Sequence, residues 1–340
     1  MPSRESENVV AEVGVLIYPD CQLAAVYGLT DLFRIAGEWS ARELIAERPN
    51  AIRVSHWLMD GAEMRCIWDS NPGREHRISH IIAPPSLVMP ELMQSMTTAS
   101  DWMAARHAEG TTLCSICAGA FVLAETGLIN NRRATTHWAF AEALARRFPH
   151  VKVAAQNMVI DDGDILTAGG ILAWTDLGLT LVGKLLGPGV MLATARFLLI
   201  DPPRRDQRMF NAFIPAFDHG DAEILRVQHH IHAVCAEAHA IPGLAARAGL
   251  TERTFMRRFA KATGLRPTNY LQQVRVMKAR DALEMTNRPI DQIAWSIGYS
   301  DATAFRKIFR RTTGVLPAQY RQKFGVASTR SSREDHHDET

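Results

Sequence analysis

A cysteine lies where a buried strand is expected to turn sharply into a helix. The run Ser115-Ile116-Cys117-Ala118-Gly119 has the S-x-C-x-G outline of a nucleophile elbow, with a thiol in the usual place of the hydroxyl. Small residues after the thiol let the helix begin close to the strand, and the free N–H groups at its start would lower the pKa of the thiol. The spacing therefore indicates an exposed and activated cysteine at the carboxyl end of a strand.

The pair Cys114 and Cys117 also has C-x-x-C spacing, which leaves two other chemistries open. A strand-to-helix junction hosts thioredoxin-like redox pairs, so a disulfide sensor is one alternative. A zinc site is the other, and it is disfavoured because no second Cys or His pair has suitable spacing. His229, His230 and His232 are interpreted as solvated helix residues, so we expect no metal and no cofactor.

The segment after the elbow carries a family resemblance. With F-V-L-A-E-T-G-L-I-N-N-R-R-A-T-T-H-W following shortly after Cys117, residues 9–199 resemble the ThiJ/PfpI, class-I glutamine amidotransferase-like superfamily. We interpret Cys117, His137, Trp138 and Trp174 as the lining of a small-molecule pocket. The alternative for His137 is a core histidine that is hydrogen-bonded locally, and for the two tryptophans it is ordinary packing.

Three departures from the superfamily's pattern predict that catalysis has been lost. The histidine that PfpI-like peptidases carry directly after the cysteine is Ala118 here, and the superfamily's carboxylate falls at about Ala25. The glycine pair that would supply an oxyanion-hole N–H falls on Pro84-Pro85, and proline has no N–H to donate. We therefore expect a sensor and not an enzyme. The alternatives are an active amidase or peptidase and a redox regulator based on Cys117.

A helix-turn-helix pattern lies near the C-terminus, in residues 289–314. A short apolar helix runs into Gly298, a residue suited to a turn with positive φ, and Ser300 or Asp301 then caps a second helix. Two short helices joined by a glycine turn are typical of a helix-turn-helix. The 3,4 spacing of the second helix predicts an inward apolar side made of Ala304, Phe305, Ile308 and Phe309.

A second copy of this pattern lies upstream, in residues 241–264. Gly249 makes its turn, Thr251 caps its second helix, and its two phenylalanines align with those of the later copy after one inserted residue. A repeat with turn, cap and aromatic core in register indicates a duplicated unit. Residues 269–285, between the copies, predict one long helix that would hold two recognition helices at a fixed separation.

Residues 222–324 closely resemble the DNA-binding domain of AraC/XylS-type transcriptional regulators. The motif G-Y-S-D-x-T-x-F-x-K-x-F carries this resemblance, together with P-x-x-Y-R at residues 317–321. It implies double-stranded DNA read in successive major grooves, a homodimer, RNA polymerase as a partner, and activation of transcription. Arg and Lys can read guanine, although any one of these cations can instead touch only phosphate. The predicted DNA-binding residues are Arg253, Met256, Arg257, Arg258, Ala302, Thr303, Arg306, Lys307 and Arg310.

The two resemblances together are those of GlxA-type regulators, which join a ThiJ/PfpI-like domain to an AraC-type module. The predicted organisation is a ligand-sensing domain over residues 9–199, a linker over 200–220, a DNA-binding domain over 221–325 and a disordered tail over 326–340. The expected effector is a small, nitrogenous metabolite that shifts the protein between two arrangements.

Charge is divided unevenly along the chain. Residues 241–325 contain sixteen Lys and Arg side chains against five Asp and Glu, a net charge of +11. The whole chain carries only +2, so the remainder carries −9. A basic module on an acidic body is the electrostatic pattern of phosphate binding, and the acidic body is not expected to bind DNA.

Alternating strands and helices precede the basic module, and they indicate an α/β domain followed by an all-α domain. The α/β domain is expected to be a doubly wound, flavodoxin-like parallel sheet covered on both faces. Ligands bind such sheets at the carboxyl ends of strands, where Cys117 is expected. Strands are predicted over 9–18, 51–58, 80–83, 111–115, 151–160 and 165–167. Helices are predicted over 23–36, 90–107, 118–126 and 138–148, with two further helices within 171–199.

Composition favours a cytoplasmic protein without membrane contact. With 340 residues and 47% hydrophobic content, the chain suits two globular domains. The polar start M-P-S-R-E-S-E-N has no signal-peptide features, and no apolar run reaches the length that spans a bilayer. The five cysteines are scattered and odd in number, which is typical of a reduced compartment.

Overall fold

The computed structural model describes residues 9–43, 51–202 and 206–326, and the chain divides into two compact units between Gln207 and Arg208. The predicted linker is therefore shared between the two units. The predicted tail lies, apart from Val326, outside the described residues. Within the described ranges, no helix is both long enough and apolar enough to cross a membrane.

The first unit alternates strands and helices. Its strands are β1 (Ala11–Ile17), β2 (Ile52–Asp60), β3 (Glu63–Asp69), β4 (Ile78–Ala83), β5 (Thr112–Ile116), β6 (Arg133–Ala134), β7 (Lys152–Val153), β8 (Val159–Asp161) and β9 (Ile165–Ala168). Its helices are α1 (Leu23–Glu43), α2 (Thr97–Ala108), α3 (Gly119–Glu125), α4 (Ala141–Arg147), α5 (Trp174–Leu186) and α6 (Pro188–Phe197), with a 3-10 turn at Trp138–Phe140.

Seven of these strands form one mixed sheet in the order β3-β2-β1-β4-β5-β9-β8. The five central strands run parallel, which gives the flavodoxin-like order and confirms the predicted fold class. The two edge strands, β3 and β8, run antiparallel because short turns join them to their neighbours. β3 was not predicted; its side chains are exposed or only half-buried, so the strand has no fully buried apolar face.

Three predicted elements differ from the structure. The helix predicted from Pro90 begins only at Thr97, because the Met96 N–H is bound to the Glu125 carboxylate at 2.8 Å ahead of the first turn. The helix predicted over 138–148 starts as a 3-10 turn, and the strand predicted over 151–160 is interrupted by a turn.

The second unit is helical and contains two small cores. Its helices are α7 (Ala222–Ala233), α8 (Ile241–Arg247), α9 (Glu252–Thr263), α10 (Pro267–Met285), α11 (Ile290–Ser296), α12 (Ala302–Thr313) and α13 (Pro317–Phe324). The central helix α10 contributes to both cores, with Tyr270 and Val274 in the first and Val276, Ala279 and Leu283 in the second. A single rigid helix therefore carries both helix-turn-helix motifs.

The two motifs are repeats in space as well as in sequence. Phe255 and Phe259 of α9 are fully buried, as are Phe305 and Phe309 of α12. Ala304 is exposed, so its predicted inward position is wrong. The second phenylalanine of each motif meets a tyrosine of the next helix edge-on, with ring centroids 5.3 Å apart in the first motif and 5.4 Å in the second. These aromatic contacts fix each recognition helix.

The two turn glycines are predicted to differ in how well they tolerate a side chain. Gly249 and Gly298 occupy equivalent turns with φ of 67° and 87°. At Gly249 a Cβ would meet no described atom within 4 Å. At Gly298 it would lie 2.3 Å from the Ala236 carbonyl oxygen. We expect Gly249→Ala to lower the free energy of unfolding by about 1–2 kcal/mol and Gly298→Ala to lower it by at least about 2 kcal/mol more. Urea unfolding of the full chain measures both. Equal losses in the two variants would contradict the packing at Gly298.

Candidate DNA-binding surface and cysteine site

Both recognition helices begin at a capped end that leaves their first turn exposed. The Thr251 hydroxyl accepts the Thr254 N–H, and the Asp301 carboxylate accepts the N–H groups of Thr303 and Ala304 at 2.8 and 3.0 Å. These N–H groups hold the pKa of Asp301 below its usual value. Of the two predicted caps for α12, Asp301 is therefore the one that the structure uses.

The predicted base-reading side chains lie on the solvent-facing sides of these helices. Ala302 and Met256 are half-buried at the margin of the apolar faces. The exposed members of the set are Arg253, Arg257, Thr303, Arg306, Lys307 and Arg310. The two recognition helices therefore present cationic outer faces while their aromatic inner faces stay buried, as entry into a DNA groove requires.

Two of the predicted DNA contacts are engaged within the fold. Both edges of the Arg258 guanidinium bind the Asp221 carboxylate, at 2.9 and 2.6 Å, and this raises the pKa of Arg258. Asp221 also caps α7, so Arg258 ties α9 to the start of the unit. Arg306 pairs with Asp291 at 2.6 Å, but both side chains are about half exposed. A surface pair of this kind is weak and can yield to a phosphate or a base.

In the first unit, the backbone at Cys117 forms the elbow that the sequence predicts. Its φ is 55°, an uncommon value for a residue with a side chain, and its N–H donates to the Ala168 carbonyl at 2.8 Å. Gly119 allows the helix to press on the neighbouring strand, because a Cβ there would lie 2.3 Å from the Ala83 carbonyl oxygen. The elbow therefore lies at the carboxyl end of the sheet.

The thiol of Cys117 is buried and not exposed. Its residue is 1% exposed, and burial raises the pKa of the thiol to about 12 despite a hydrogen bond from the Ala118 N–H. The predicted exposure and the predicted lowering of its pKa are therefore wrong. One N–H at the start of the helix binds the thiol and lowers its pKa. This effect is smaller than the rise in pKa that follows from removing water around the thiolate. Cys114 is also buried, its pKa is raised by burial, and both thiols are free.

The neighbours of Cys117 offer carbonyl groups and apolar side chains. The Tyr18 hydroxyl donates to the Pro84 carbonyl, and the Pro85 carbonyl accepts the Gln22 N–H at 2.7 Å. Ala25 and Ala118, which stand at the positions of the superfamily's carboxylate and histidine, are fully buried. The loop that would form an oxyanion hole therefore presents acceptors, whereas a developing oxyanion needs donors.

His137 and Trp138 directly follow Thr136, which contacts the elbow, while Trp174 at the start of α5 packs against Gly28 of α1. The residue before His137, Thr136, donates its hydroxyl to the Cys117 carbonyl at 2.7 Å. His137 Nδ1 accepts the Ala139 N–H at 3.2 Å and so caps the 3-10 turn, and burial lowers the pKa of its ring. The Trp174 indole lies against Gly28, where a Cβ would come within 2.6 Å of it. The structure thus groups Cys117, His137 and Trp138.

Gln207 was missed by the sequence reasoning, and it lies in this same group. It falls within the predicted linker, yet it is only 2% exposed. Its amide nitrogen donates to the Thr136 carbonyl at 2.8 Å, and its amide oxygen accepts the Trp138 N–H at 3.1 Å. A lone glutamine in an irregular Pro- and Arg-rich segment gives no periodic signal, so nothing in the sequence marks it as buried.

Comparisons with known proteins agree with this two-unit organisation. The DJ-1/PfpI family matches residues 84–184, and a helix-turn-helix domain family matches residues 244–323. The HTH-type transcriptional regulator CdhR of Pseudomonas aeruginosa is 27% identical over 240 residues, covering 70% of this chain and 69% of its own length. The regulator GlxA of Rhizobium meliloti is 28% identical over 219 residues, covering 64% and 67%. An isonitrile hydratase of Pseudomonas putida is 31% identical over 175 residues, covering 51% and 68%.

The exposed cationic helices and the helix-turn-helix match define a DNA-binding transcription regulator of the AraC class. The chain combines a DJ-1/PfpI domain with an AraC-type helix-turn-helix domain, and the transcriptional regulators GlxA and CdhR are among its relatives. The two regulators cover more of this chain than the hydratase does, which is consistent with a protein that is not an enzyme.

Prediction for the recognition arginines. Arg257 and Arg258 are neighbours on α9, but the first is exposed and the second is bound to Asp221. If Arg257 reads a base, Arg257→Ala should weaken binding to a selected operator by about 1–3 kcal/mol and relax the preference at one base pair. Arg258→Ala is the matched control and should leave base preference unchanged. Fluorescence anisotropy with single-base-substituted duplexes measures both. A uniform loss across all sequences for Arg257→Ala would identify a phosphate contact instead.

Proposed function

We propose that the first unit is a non-catalytic sensor of a small molecule and that ligand binding there controls DNA binding by the second unit. The observation that carries this proposal is the elbow at Cys117, which keeps its strained backbone while its thiol is buried. Strain of this kind persists at functional sites. A site that retains its geometry and lacks reactive groups is suited to recognition.

Loss of catalysis is supported by the state of the thiol. Burial raises the pKa of the Cys117 thiol far above neutral pH, so the thiol stays protonated, whereas the thiolate is the nucleophile. Pro84 and Pro85 supply no N–H, and the alanines at positions 25 and 118 supply no base. The same burial argues against a redox switch, because oxidation also requires an accessible thiolate.

The sensing site is proposed at His137 and Trp138, where polar backbone groups and two half-buried rings meet. A neutral imidazole and backbone groups favour a small, polar, nitrogen-containing ligand. The resemblance to AraC-type regulators supports the further proposal of a dimer that recruits RNA polymerase and activates transcription when the ligand is bound. Occupancy would shift the population between two arrangements that differ in DNA affinity.

Hydration of an isonitrile is a second candidate function, favoured by the 31% identity to the isonitrile hydratase. It requires Cys117 or a bound water to attack the substrate, and the buried thiol disfavours the first route. Consumption of an alkyl isonitrile by the purified chain, lost in Cys117→Ala, would establish this function. No consumption at enzyme concentrations that saturate DNA would exclude it.

Prediction for ligand binding. In a thermal-shift screen of the full chain against small nitrogenous metabolites, a specific ligand at 100 times its Kd should raise the Tm by about 5–10 °C. The shift should be lost in His137→Ala and kept in Arg65→Ala, which changes a side chain 65% exposed on β3. The same ligand should change operator affinity by anisotropy. A ligand that shifts the Tm through His137 and leaves DNA affinity unchanged would contradict the proposal.

A further inference from the structure

The side-chain amide of Gln207 is held by a complete set of partners in the first unit. Its NH2 group, which has two hydrogens to donate, lies within hydrogen-bonding distance of three oxygens, the Thr135 hydroxyl at 3.1 Å, the Thr136 carbonyl at 2.8 Å and the Asn157 carbonyl at 3.0 Å. Its oxygen accepts the Trp138 N–H at 3.1 Å. Three acceptors on one side and one donor on the other fix which way the amide points.

The backbone around Gln207 is shaped to receive this amide. Gly169 follows strand β9 directly, and a Cβ there would lie 2.0 Å from the Gln207 amide nitrogen. The Gln207 N–H also donates to the Gln156 carbonyl at 2.9 Å. A glycine is thus required where the amide enters, and the receiving groups lie at the carboxyl end of the sheet. This edge is where a flavodoxin-like fold binds its ligands.

The receiving groups belong to the Cys117 region. Thr136 accepts from Gln207 through its carbonyl and donates to the Cys117 carbonyl through its hydroxyl. The Trp138 N–H, bound by Gln207, starts the turn that His137 caps. The amide therefore fills hydrogen-bonding positions directly beside the residues assigned to ligand recognition.

We propose that the Gln207 amide is an internal occupant of the effector site and that the effector is a small molecule with a primary carboxamide, which displaces it. The inference rests on the proposed sensor function and names its ligand class. The receiving groups are three acceptors and one donor, so the ligand must both donate and accept hydrogen bonds. A carboxamide does both, whereas a carboxylate cannot donate and an ammonium cannot accept. Displacement leaves no receiving group without a partner.

The residues that follow Gln207 explain how displacement would reach the DNA-binding unit. Gln207 ends the first unit and Arg208 begins the second. Within the second unit, the buried Arg280 of α10 donates to the carbonyls of Arg208, at 2.9 Å, and Asn211. We call residues 207–211 the strap. It is bound at one end in the effector site and at the other to the helix that carries both helix-turn-helix motifs.

The internal amide also sets the affinity that the effector must have. A group tethered to its own site competes at a millimolar effective concentration, so it weakens the apparent binding of a free carboxamide. Removing the Gln207 side chain should therefore strengthen the binding of a small carboxamide at least about tenfold. Propionamide reproduces the outer atoms of the glutamine side chain and is the direct probe.

The first test is rescue of the full chain by propionamide. Gln207→Ala should lower the Tm by about 3–8 °C, because it leaves buried polar groups unpaired. Propionamide at tens of millimolar should restore part of this loss, whereas propionate, which lacks the N–H donors, should not. Wild type and Gln94→Ala, which changes an exposed glutamine outside this site, should show no propionamide shift. A folded Gln207→Ala chain that propionamide does not stabilise would overturn the inference.

Gln207→Glu keeps the test decisive if the alanine variant does not fold. Its carboxyl would face three oxygens, so its folded-state pKa should lie above the unfolded value. Folding then favours the protonated form of the variant carboxyl. The Tm of the variant relative to wild type should therefore be highest below the carboxyl pKa of the unfolded chain, and it should fall as the pH rises through the pKa of the folded chain. A difference between the two proteins that does not vary between pH 4 and pH 8 would overturn the placement of the amide.

DNA binding separates this inference from the proposed sensor function. Gln207→Ala without ligand should change operator affinity at least about threefold, and propionamide should reverse the change. A ligand from the screen could raise the Tm of wild type in a way that requires His137, yet bind Gln207→Ala no more tightly than it binds wild type. In that case the sensor function stands and the internal-occupant inference fails. If neither ligand nor Gln207→Ala alters operator affinity, both fail.

Discussion

Burial of aromatic side chains in two small cores that share the central helix α10 is the constraint on which the DNA-binding unit depends. Phe259 packs edge-on against Tyr270 of α10 and Phe309 against Tyr320 of α13, while Phe255 and Phe305 pack against these two phenylalanines. Removing one such phenylalanine costs about 3–5 kcal/mol, more than any single surface charge contributes. The inward aromatic face therefore decides where each helix lies. Its outward residues are then free to be selected for DNA.

The first unit has the backbone of a nucleophile elbow around a buried thiol. The positive φ at Cys117 and the close approach of Gly119 to the adjacent strand form this elbow. Burial disfavours the thiolate form of Cys117, and Pro84 and Pro85 have no N–H to donate. What is left at the carboxyl end of the sheet is a hydrogen-bonding site. In this structure Gln207 fills it, at the point where the chain continues into the DNA-binding unit.

Sequence predicted well wherever one residue type had to satisfy a local geometric rule. Gly249 and Gly298 marked the turns because a turn needs a positive φ, and Thr251 and Asp301 marked the helix caps. The buried phenylalanines followed from the 3,4 spacing of a helix. The exposure of Cys117 could not be predicted, because burial depends on side chains from distant segments. Gln207 gave no signal for the same reason. Its partners lie fifty to seventy-two residues away and include backbone carbonyls, which carry no sequence identity.

The repeat is expected to place two recognition helices in separate major grooves. Hydroxyl-radical footprinting of the full chain on a selected duplex tests it most directly, with Arg257→Ala and Lys307→Ala as variants. For each protein copy, we expect two protected windows about 10 base pairs apart on one face of the DNA. Arg257→Ala should weaken one window and Lys307→Ala the other. A single window for each copy, or equal loss of both windows in either variant, would contradict it.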